Sequence, residues 1–158
     1  MKLVHFSEQY YDILIQWIDS EKLNYLWGGP HFQFPLTLEQ ISVHCAKPEV
    51  YPYVLVVEGK NAGYVELFKV SEDHYRICRV FIAKEFRGKG LSTSMLEALI
   101  SKAKEQLNCT RLSLAVFTHN APAIACYKSL GFEVVKTENN RVTFEGESWD
   151  LYRMERSI

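Results

Sequence analysis

The stretch Asn120-Ala-Pro-Ala-Ile-Ala-Cys-Tyr-Lys-Ser-Leu-Gly-Phe132 carries the clearest structural signal in this chain of 158 residues. Asn120 is a favourable N-cap residue, and Pro122 falls in the first helical turn, where its missing N–H costs little. Gly131 supplies the left-handed residue with which many helices end. Residues 111–117 just upstream alternate apolar and polar side chains, as a strand does. The stretch therefore predicts a short helix that follows a strand.

A second segment, Arg87-Gly-Lys-Gly-Leu-Ser92, lies about thirty residues upstream between an apolar run and a helical pattern. A glycine turn between a strand and a helix directs free backbone N–H groups and the positive helix end at one point, which suits a pyrophosphate. Gly88 and Gly90 lack Cβ atoms, so the backbone there approaches phosphate oxygens closely. Arg87 and Lys89 add positive charge. For this motif alone, a solvated turn is an equally good interpretation.

Together the two segments resemble the cofactor-binding half of the GNAT superfamily of acetyl-CoA-dependent N-acetyltransferases. The upstream segment resembles the Arg/Gln-x-x-Gly-x-Gly/Ala signature, with Ser92 in place of the usual last Gly or Ala. The segment 120–132 resembles the second cofactor motif. The resemblance implies that acetyl-CoA is the co-substrate and that loop N–H groups hold its pyrophosphate. The loop residues so implied are Arg87, Gly88, Lys89, Gly90, Leu91, Ser92 and Thr93.

The same resemblance implies roles for one strand and two side chains. Val80, Phe81 and Ile82 match the strand whose edge pairs with the pantetheine arm, as another strand would, and one of its N–H groups would meet the oxyanion. Tyr127 is implied to give a proton or a hydrogen bond to the departing thiolate, because a phenol is protonated at neutral pH. An ordinary half-buried tyrosine is the alternative. Asn120 is implied to contact the cofactor, or it only caps the helix.

The acceptor amine must lose a proton before it attacks, since a lysine-type amine has a pKa of about 10.4. The two positions where branches of the family carry a glutamate hold Ala115 and Arg76. Glu66 is the remaining carboxylate within a predicted strand, and a half-buried glutamate with a raised pKa would serve as the base. Alternatively, Glu66 faces solvent or pairs with a cation such as Arg76 or Arg79. His119 is a weaker candidate, and a reaction without any protein base stays open.

Composition and charge exclude several classes of function. The chain is 47% hydrophobic with a formal net charge of -1, so it lacks the basic excess of a nucleic-acid-binding surface. No apolar run approaches the ~18 residues of a membrane span, and we expect a cytoplasmic protein with no membrane partner. The four cysteines and five histidines show no Cys-x-x-Cys or His-x-x-x-His spacing, so no metal is predicted.

Two hairpins are predicted from alternation and turn residues. Residues 53–58 and 64–68 read as strands joined by a turn at 59–63. Residues 132–138 and 148–154 read as closing strands, and a turn at 139–140 is predicted between 132–138 and a short strand at 142–145.

The order of these elements predicts an α+β fold in αβα layers, and the resemblance implies a GNAT-like, mixed and mostly antiparallel twisted sheet flanked by helices. We expect one domain over residues 1–158. The predicted activity transfers an acetyl group from acetyl-CoA to a primary amine, on a small molecule or on a peptide or protein, by direct attack in a ternary complex. The alternative is a GNAT-fold module that binds acyl-CoA without turnover. A homodimer is a further prediction.

Overall fold

The computed structural model describes residues 1–158, apart from the side chains at positions 141 and 142. The strands are β1 (Lys2–His5), β2 (Val50–Val57), β3 (Lys60–Lys69), β4 (His74–Ile82), β5 (Arg111–Phe117), β6 (Glu133–Phe144) and β7 (Glu147–Ser157). The α-helices are α1 (Tyr11–Trp17), α2 (Glu21–Gly28), α3 (Leu38–Cys45), α4 (Leu91–Gln106) and α5 (Ala121–Ser129). The strand order is β1-β2-β3-β4-β5-β7-β6. One pairing is parallel and the others given by register are antiparallel, which confirms the predicted fold class.

Contacts between Cα atoms divide the chain into two compact units. The first unit comprises Met1–Lys69 and Arg79–Leu91, and the second comprises Val70–Cys78 and Ser92–Ile158. The predicted single domain over residues 1–158 stays a prediction.

In the first unit, β1, β2 and β3 form an antiparallel ladder. The predicted turn at 59–63 is wrong, because β2 and β3 are joined at Glu58 and Gly59 and pairing resumes at Lys60. Glu58 has φ 49° and Gly59 has φ 76°. Two consecutive left-handed residues match the twist of the flanking strands, which allows the shortest hairpin connection.

Capping side chains set the helix starts in this unit. Ser20 accepts a hydrogen bond from the Leu23 N–H at 3.1 Å, and Thr37 accepts one from the Gln40 N–H at 3.3 Å. These caps satisfy N–H groups that the first turn of a helix leaves unpaired. The helices then bury apolar side chains against the strands. The resulting core contains Phe6, Leu14, Ile18, Trp27, Phe32, Leu36, Ile41, Val54, Tyr64, Phe81 and Ala83.

In the second unit, the start of β4 pairs in parallel with β5, β5 pairs antiparallel with β7, and β7 pairs antiparallel with β6. The apolar side of α4 is fully buried at Met95, Leu99 and Ala103, which recur every four residues. Helix α5 ends before Gly131, whose φ of 90° confirms the predicted left-handed terminator.

The closing hairpin is longer than the sequence predicts. The predicted turn at 139–140 is wrong, because β6 continues as one strand to Phe144. Asn140 has φ 52°, and its N–H donates to Asp150 Oδ1 at 2.7 Å, where the β6–β7 register shifts. The hairpin turns instead at Glu145 and Gly146, with φ of 51° and 81°. Asparagine tolerates a left-handed conformation within a strand irregularity as well as within a turn, which explains the error.

Candidate active site

The predicted phosphate loop leaves the end of β4 and leads into α4. Gly88 and Gly90 have φ of 75° and 72°, and a Cβ built at either position would meet no atom within 4 Å. The loop backbone is therefore open to a ligand and has a conformation that glycine adopts without strain. Arg87 Nε donates to the Ile82 carbonyl oxygen at 2.9 Å, and its guanidinium lies 5.5 Å from the centre of the Phe81 ring. Arg87 therefore braces the loop against the strand that precedes it.

The other predicted cofactor residues of the first unit lie on β4 and in the loop, where most side chains pack inside the protein. The side chains of Phe81 and Ile82 are buried, and Val80 is half-buried. Lys89 Nζ lies 5.7 Å from the centre of the Phe86 ring. Leu91 is the first residue of α4. Cofactor binding by this strand and loop would therefore use main-chain groups, together with the exposed Lys89 side chain.

The second unit contains the remaining predicted cofactor residues. Asn120 Oδ1 accepts a hydrogen bond from the Ala123 N–H at 3.3 Å, so the capping role of Asn120 is confirmed, while its cofactor contact stays a prediction. Thr93 Oγ1 lies 3.4 Å from Cys126 Sγ. This contact joins the first turn of α4 to α5 at Cys126, the residue that precedes Tyr127. Ser92 lies half-buried in the same turn of α4.

Tyr127 is buried, with 8% of its surface exposed. Its ring packs edge-on against Phe132 with centroids 6.2 Å apart, and the hydroxyl has no hydrogen-bond partner among the described residues. Burial, assisted by the neighbouring Cys126, raises the pKa of Tyr127 to about 12. The phenol is therefore protonated throughout the neutral range and has a hydrogen bond to offer to a ligand.

Glu66 is completely buried and holds three hydrogen-bonding partners. His44 Nε2 and Arg79 Nη1 each lie 2.9 Å from Glu66 Oε1, and the Tyr64 hydroxyl donates to Oε2 at 2.5 Å. We call these four residues the Glu66 cluster. Burial alone would raise the pKa of Glu66, but the hydrogen bond from His44 and the charge of Arg79 outweigh it and lower the pKa. The expected raised pKa is therefore wrong.

The role of Glu66 as the catalytic base stays a prediction, and this geometry does not favour it. A carboxylate with no exposed surface and a lowered pKa is poorly placed to take a proton from an incoming amine. Of the alternatives open from sequence, the ion pair with Arg79 is the one observed. Sequence reasoning missed His44 and Tyr64 as partners. Tyr64 lies two positions from Glu66 and so on the same strand face, which is a usable local signal, whereas His44 on α3 gives none.

The remaining titratable candidates form no metal centre. His119 is exposed and stacks on Phe117 at 5.6 Å between centroids, with Trp149 at 5.9 Å. Within the described part of the chain, no three His, Cys, Asp or Glu side chains group as metal ligands would. None of the four cysteines forms a disulfide. No helix that the structure describes combines the length and apolar character needed to span a bilayer.

Comparison with known proteins decides the family. A model of the acetyltransferase (GNAT) family matches residues 12–132, which is well over half of the chain and includes both cofactor motifs. The chain belongs to the GNAT acetyltransferase family. Membership confirms the predicted enzyme class, an N-acetyltransferase, and the predicted co-substrate, acetyl-CoA.

Among GNAT proteins, this chain is 39% identical over 103 residues to the spermine/spermidine N(1)-acetyltransferase of Bacillus subtilis (strain 168), covering 61% of this chain and 65% of that protein. It is 29% identical over 137 residues to the spermidine N(1)-acetyltransferase of Escherichia coli (strain K12), covering 86% of this chain and 74% of that protein. The chain thus spans about two thirds of the length of the curated relatives it matches.

The GNAT fold is also seen in the solved structures. The spermidine N-acetyltransferase from Vibrio cholerae, crystallised with CoA and spermine, superposes with a TM-score of 0.85 at 18% sequence identity. The superposition covers 99% of this chain and 94% of that chain. At this identity the likeness concerns the fold.

Proposed function

We propose that this protein transfers the acetyl group of acetyl-CoA to a primary aliphatic amine, which attacks the thioester directly while both substrates are bound. The observation that carries the proposal is the family match over residues 12–132, because that span contains the glycine loop and the Tyr127 helix together. The open backbone at Gly88 and Gly90 and the buried, protonated phenol of Tyr127 support it independently.

The residues of the loop and strand fit a nucleotide-tailed thioester. N–H groups of residues 88–93 would bind the pyrophosphate, because Gly88 and Gly90 place no side chain over the main chain and α4 begins there. Residues 80–82 would bind the two amides of the pantetheine arm through main-chain groups. Bound acetyl-CoA would supply the activated acyl group, and an N–H of residues 80–82 would stabilise the negative charge that develops on its carbonyl oxygen.

Tyr127 would stabilise the departing thiolate. Proton transfer from a phenol with a pKa of about 12 to a thiolate is unfavourable, since a cysteine-type thiol has a pKa of only about 8.5. A hydrogen bond costs no such transfer and strengthens as the negative charge develops. Of the two roles implied by resemblance, the structure therefore supports hydrogen-bond donation.

The proton of the amine would leave to solvent before attack. The two sequence positions at which relatives carry a glutamate hold Ala115 and Arg76, and Glu66 is enclosed in its cluster. A primary amine of pKa about 10.4 is less than 1% neutral, by this rough figure, at pH 8. The rate should consequently increase with pH through the weakly alkaline range.

Polyamine-like primary amines are the first acceptors to examine, because the curated relatives reported above are spermine and spermidine acetyltransferases. The net charge of -1 does not disfavour a cationic substrate. A peptide with a free amino terminus represents the other predicted acceptor class.

The test is release of free CoA thiol across a panel of spermidine, spermine, a lysine-type amine and an alanine-terminated peptide. Amine-dependent release identifies the acceptor class and supports transfer. Calorimetric binding of acetyl-CoA with no release from any amine would replace the proposal with the alternative, a module that binds acyl-CoA without turnover. If acetyl-CoA does not bind and no amine causes thiol release, both the proposal and the alternative are overturned.

A further inference from the structure

Arg79 has a backbone conformation that its side chain does not favour. Its φ is 55°, the left-handed region in which a residue with a Cβ is strained and glycine is not. The residue lies within β4, immediately before residues 80–82. Such a conformation persists only where surrounding contacts stabilise it, so the contacts of Arg79 show how the fold keeps this backbone conformation.

Three contacts fix Arg79, one to its main chain and two to its guanidinium. The indole Nε1 of Trp27 donates to the Arg79 carbonyl oxygen at 3.0 Å, which fixes the main chain directly. The guanidinium lies 5.5 Å from the centre of the Phe32 ring and pairs through Nη1 with Glu66 Oε1. Its Nε is buried with no hydrogen-bond partner among the described residues, so the charge depends on the pair with Glu66.

Glu66 is in turn held as an anion by its cluster. The His44 ring and the Tyr64 hydroxyl each direct a hydrogen bond at the carboxylate, one to each oxygen. A neutral Glu66 would leave a buried guanidinium without its counter-charge, which is strongly unfavourable. The Glu66 cluster thus has a clear structural consequence, which is to keep the Arg79 side chain inside the first unit.

The strand segment beyond Arg79 is fixed at its other end as well. The Ala83 N–H donates to the carbonyl oxygen of Ala62 at 2.8 Å, which ties the chain after β4 to β3. Residues 80–82 therefore lie between Arg79 and Ala83, whose main chains are both hydrogen-bonded. The direction of the peptide groups of residues 80–82 depends on the left-handed conformation of Arg79. These are the peptide groups assigned above to the pantetheine arm and the carbonyl oxygen.

We propose that Glu66 is a positioning residue, which holds Arg79 in its left-handed conformation and thereby orients the main-chain groups of residues 80–82 toward the thioester. This inference rests on the proposed function. It assigns Glu66 a part in catalysis that requires no proton transfer, in contrast to a base.

A double-mutant cycle between Glu66 and Arg79 tests the proposal. Glu66→Gln leaves a buried cation unpaired, and Arg79→Gly leaves a buried anion with one partner fewer, so each should lower kcat/KM for acetyl-CoA, about ten- to a hundredfold. The double variant has no buried charge pair, and glycine adopts the required φ without strain. It should recover to within about tenfold of the wild type, closer than either single variant.

The pH profile separates positioning from base catalysis. With a positioning role, the acid limb of kcat/KM is unchanged in Glu66→Gln, and the loss is equal for amines of high and low pKa. If Glu66 were the base, the part of the acid limb that reports ionisation of Glu66 would disappear, a weakly basic amine would lose less activity than spermidine, and Arg79→Gly would rescue nothing. Any of those three results would overturn the proposal.

Control measurements keep the outcomes distinct. Glu105→Gln removes an exposed carboxylate from α4 and should leave activity at the wild-type level. If Glu66→Gln fails to fold, the activity of the double variant alone tests the proposal. A folded but inactive double variant would contradict it. A wild-type protein that releases no thiol in the amine panel would instead contradict the proposed function, before any variant is compared.

Discussion

Tyr127 differs from an ordinary buried tyrosine because its hydroxyl lies without a partner among the described residues. We expect Tyr127→Phe to lower kcat about ten- to a thousandfold, since it removes the hydrogen bond to the leaving sulfur and little else. The dissociation constant for acetyl-CoA should stay near the wild-type value. Steady-state kinetics and calorimetry measure the two quantities separately.

Tyr53→Phe is the matched control for that change. Tyr53 is also buried, on β2, and burial raises its pKa too. It lies outside both cofactor motifs, so kcat should not change. Equal losses in the two variants, or an unchanged kcat in Tyr127→Phe, would remove the role assigned to Tyr127.

At the residue scale, the sequence predicts what is encoded locally. The cap at Asn120 and the terminator at Gly131 are correct because each depends on a few neighbouring residues. The environment of Glu66 was not predictable in the same way. Its partners His44 and Arg79 lie 22 and 13 positions away, and only the folded chain shows that their charges outweigh the effect of burial on the pKa.

The loop before α4 is the element on which cofactor binding depends. We expect Gly90→Val to weaken acetyl-CoA binding, because a branched side chain disfavours φ 72° and covers the main chain that would approach the phosphates. A calorimetric titration with acetyl-CoA measures the effect.

Gly59→Val provides the control for backbone strain. Gly59 has φ 76° and equally open space around a Cβ, but it lies in the β2–β3 turn. Both variants should lose similar stability, whereas only Gly90→Val should lose affinity. Wild-type affinity in Gly90→Val would contradict the assignment of the phosphate loop.

The same contrast between local and non-local information holds for whole elements. Helices α4 and α5 were predictable because an apolar period of about four residues specifies α4, and the cap at Asn120 with the glycine at 131 specifies α5. Both hairpin turns were predicted at the wrong positions, because Gly63 and the pair Asn139–Asn140 are of residue types that favour turns but lie inside strands here. What decides such cases is strand pairing with distant partners, which no local window contains.

The Glu66 cluster also has a consequence for the stability of the whole molecule. The folded pKa of Glu66 is lowered from its ordinary value of 4.5, so its stabilising contribution is complete above that pH and is lost as the pH falls through the folded value. We expect Glu66→Gln to reduce the free energy of unfolding by about 3 kcal/mol at neutral pH. Urea unfolding measures this difference.

The difference between wild type and Glu66→Gln should become smaller below about pH 4.5, because the unfolded wild-type chain then binds a proton at Glu66 that the folded protein binds only at its lower pKa. Glu105→Gln, with an exposed side chain, should show no such trend. A difference that stays constant from neutral pH to about pH 3 would mean that Glu66 is not held as an anion.

For the molecule as a whole, the proposed activity is donation of the acetyl group of acetyl-CoA to a bound amine. The most direct measurement incubates the protein with spermidine and acetyl-CoA carrying an isotope-labelled acetyl group, and then examines the amine by mass spectrometry. We predict labelled N-acetylspermidine that forms only with the active protein and is greatly reduced with Tyr127→Phe. If binding is demonstrated but the label stays on CoA with spermidine and with every other amine of the panel, the account of this protein as an acetyltransferase is contradicted.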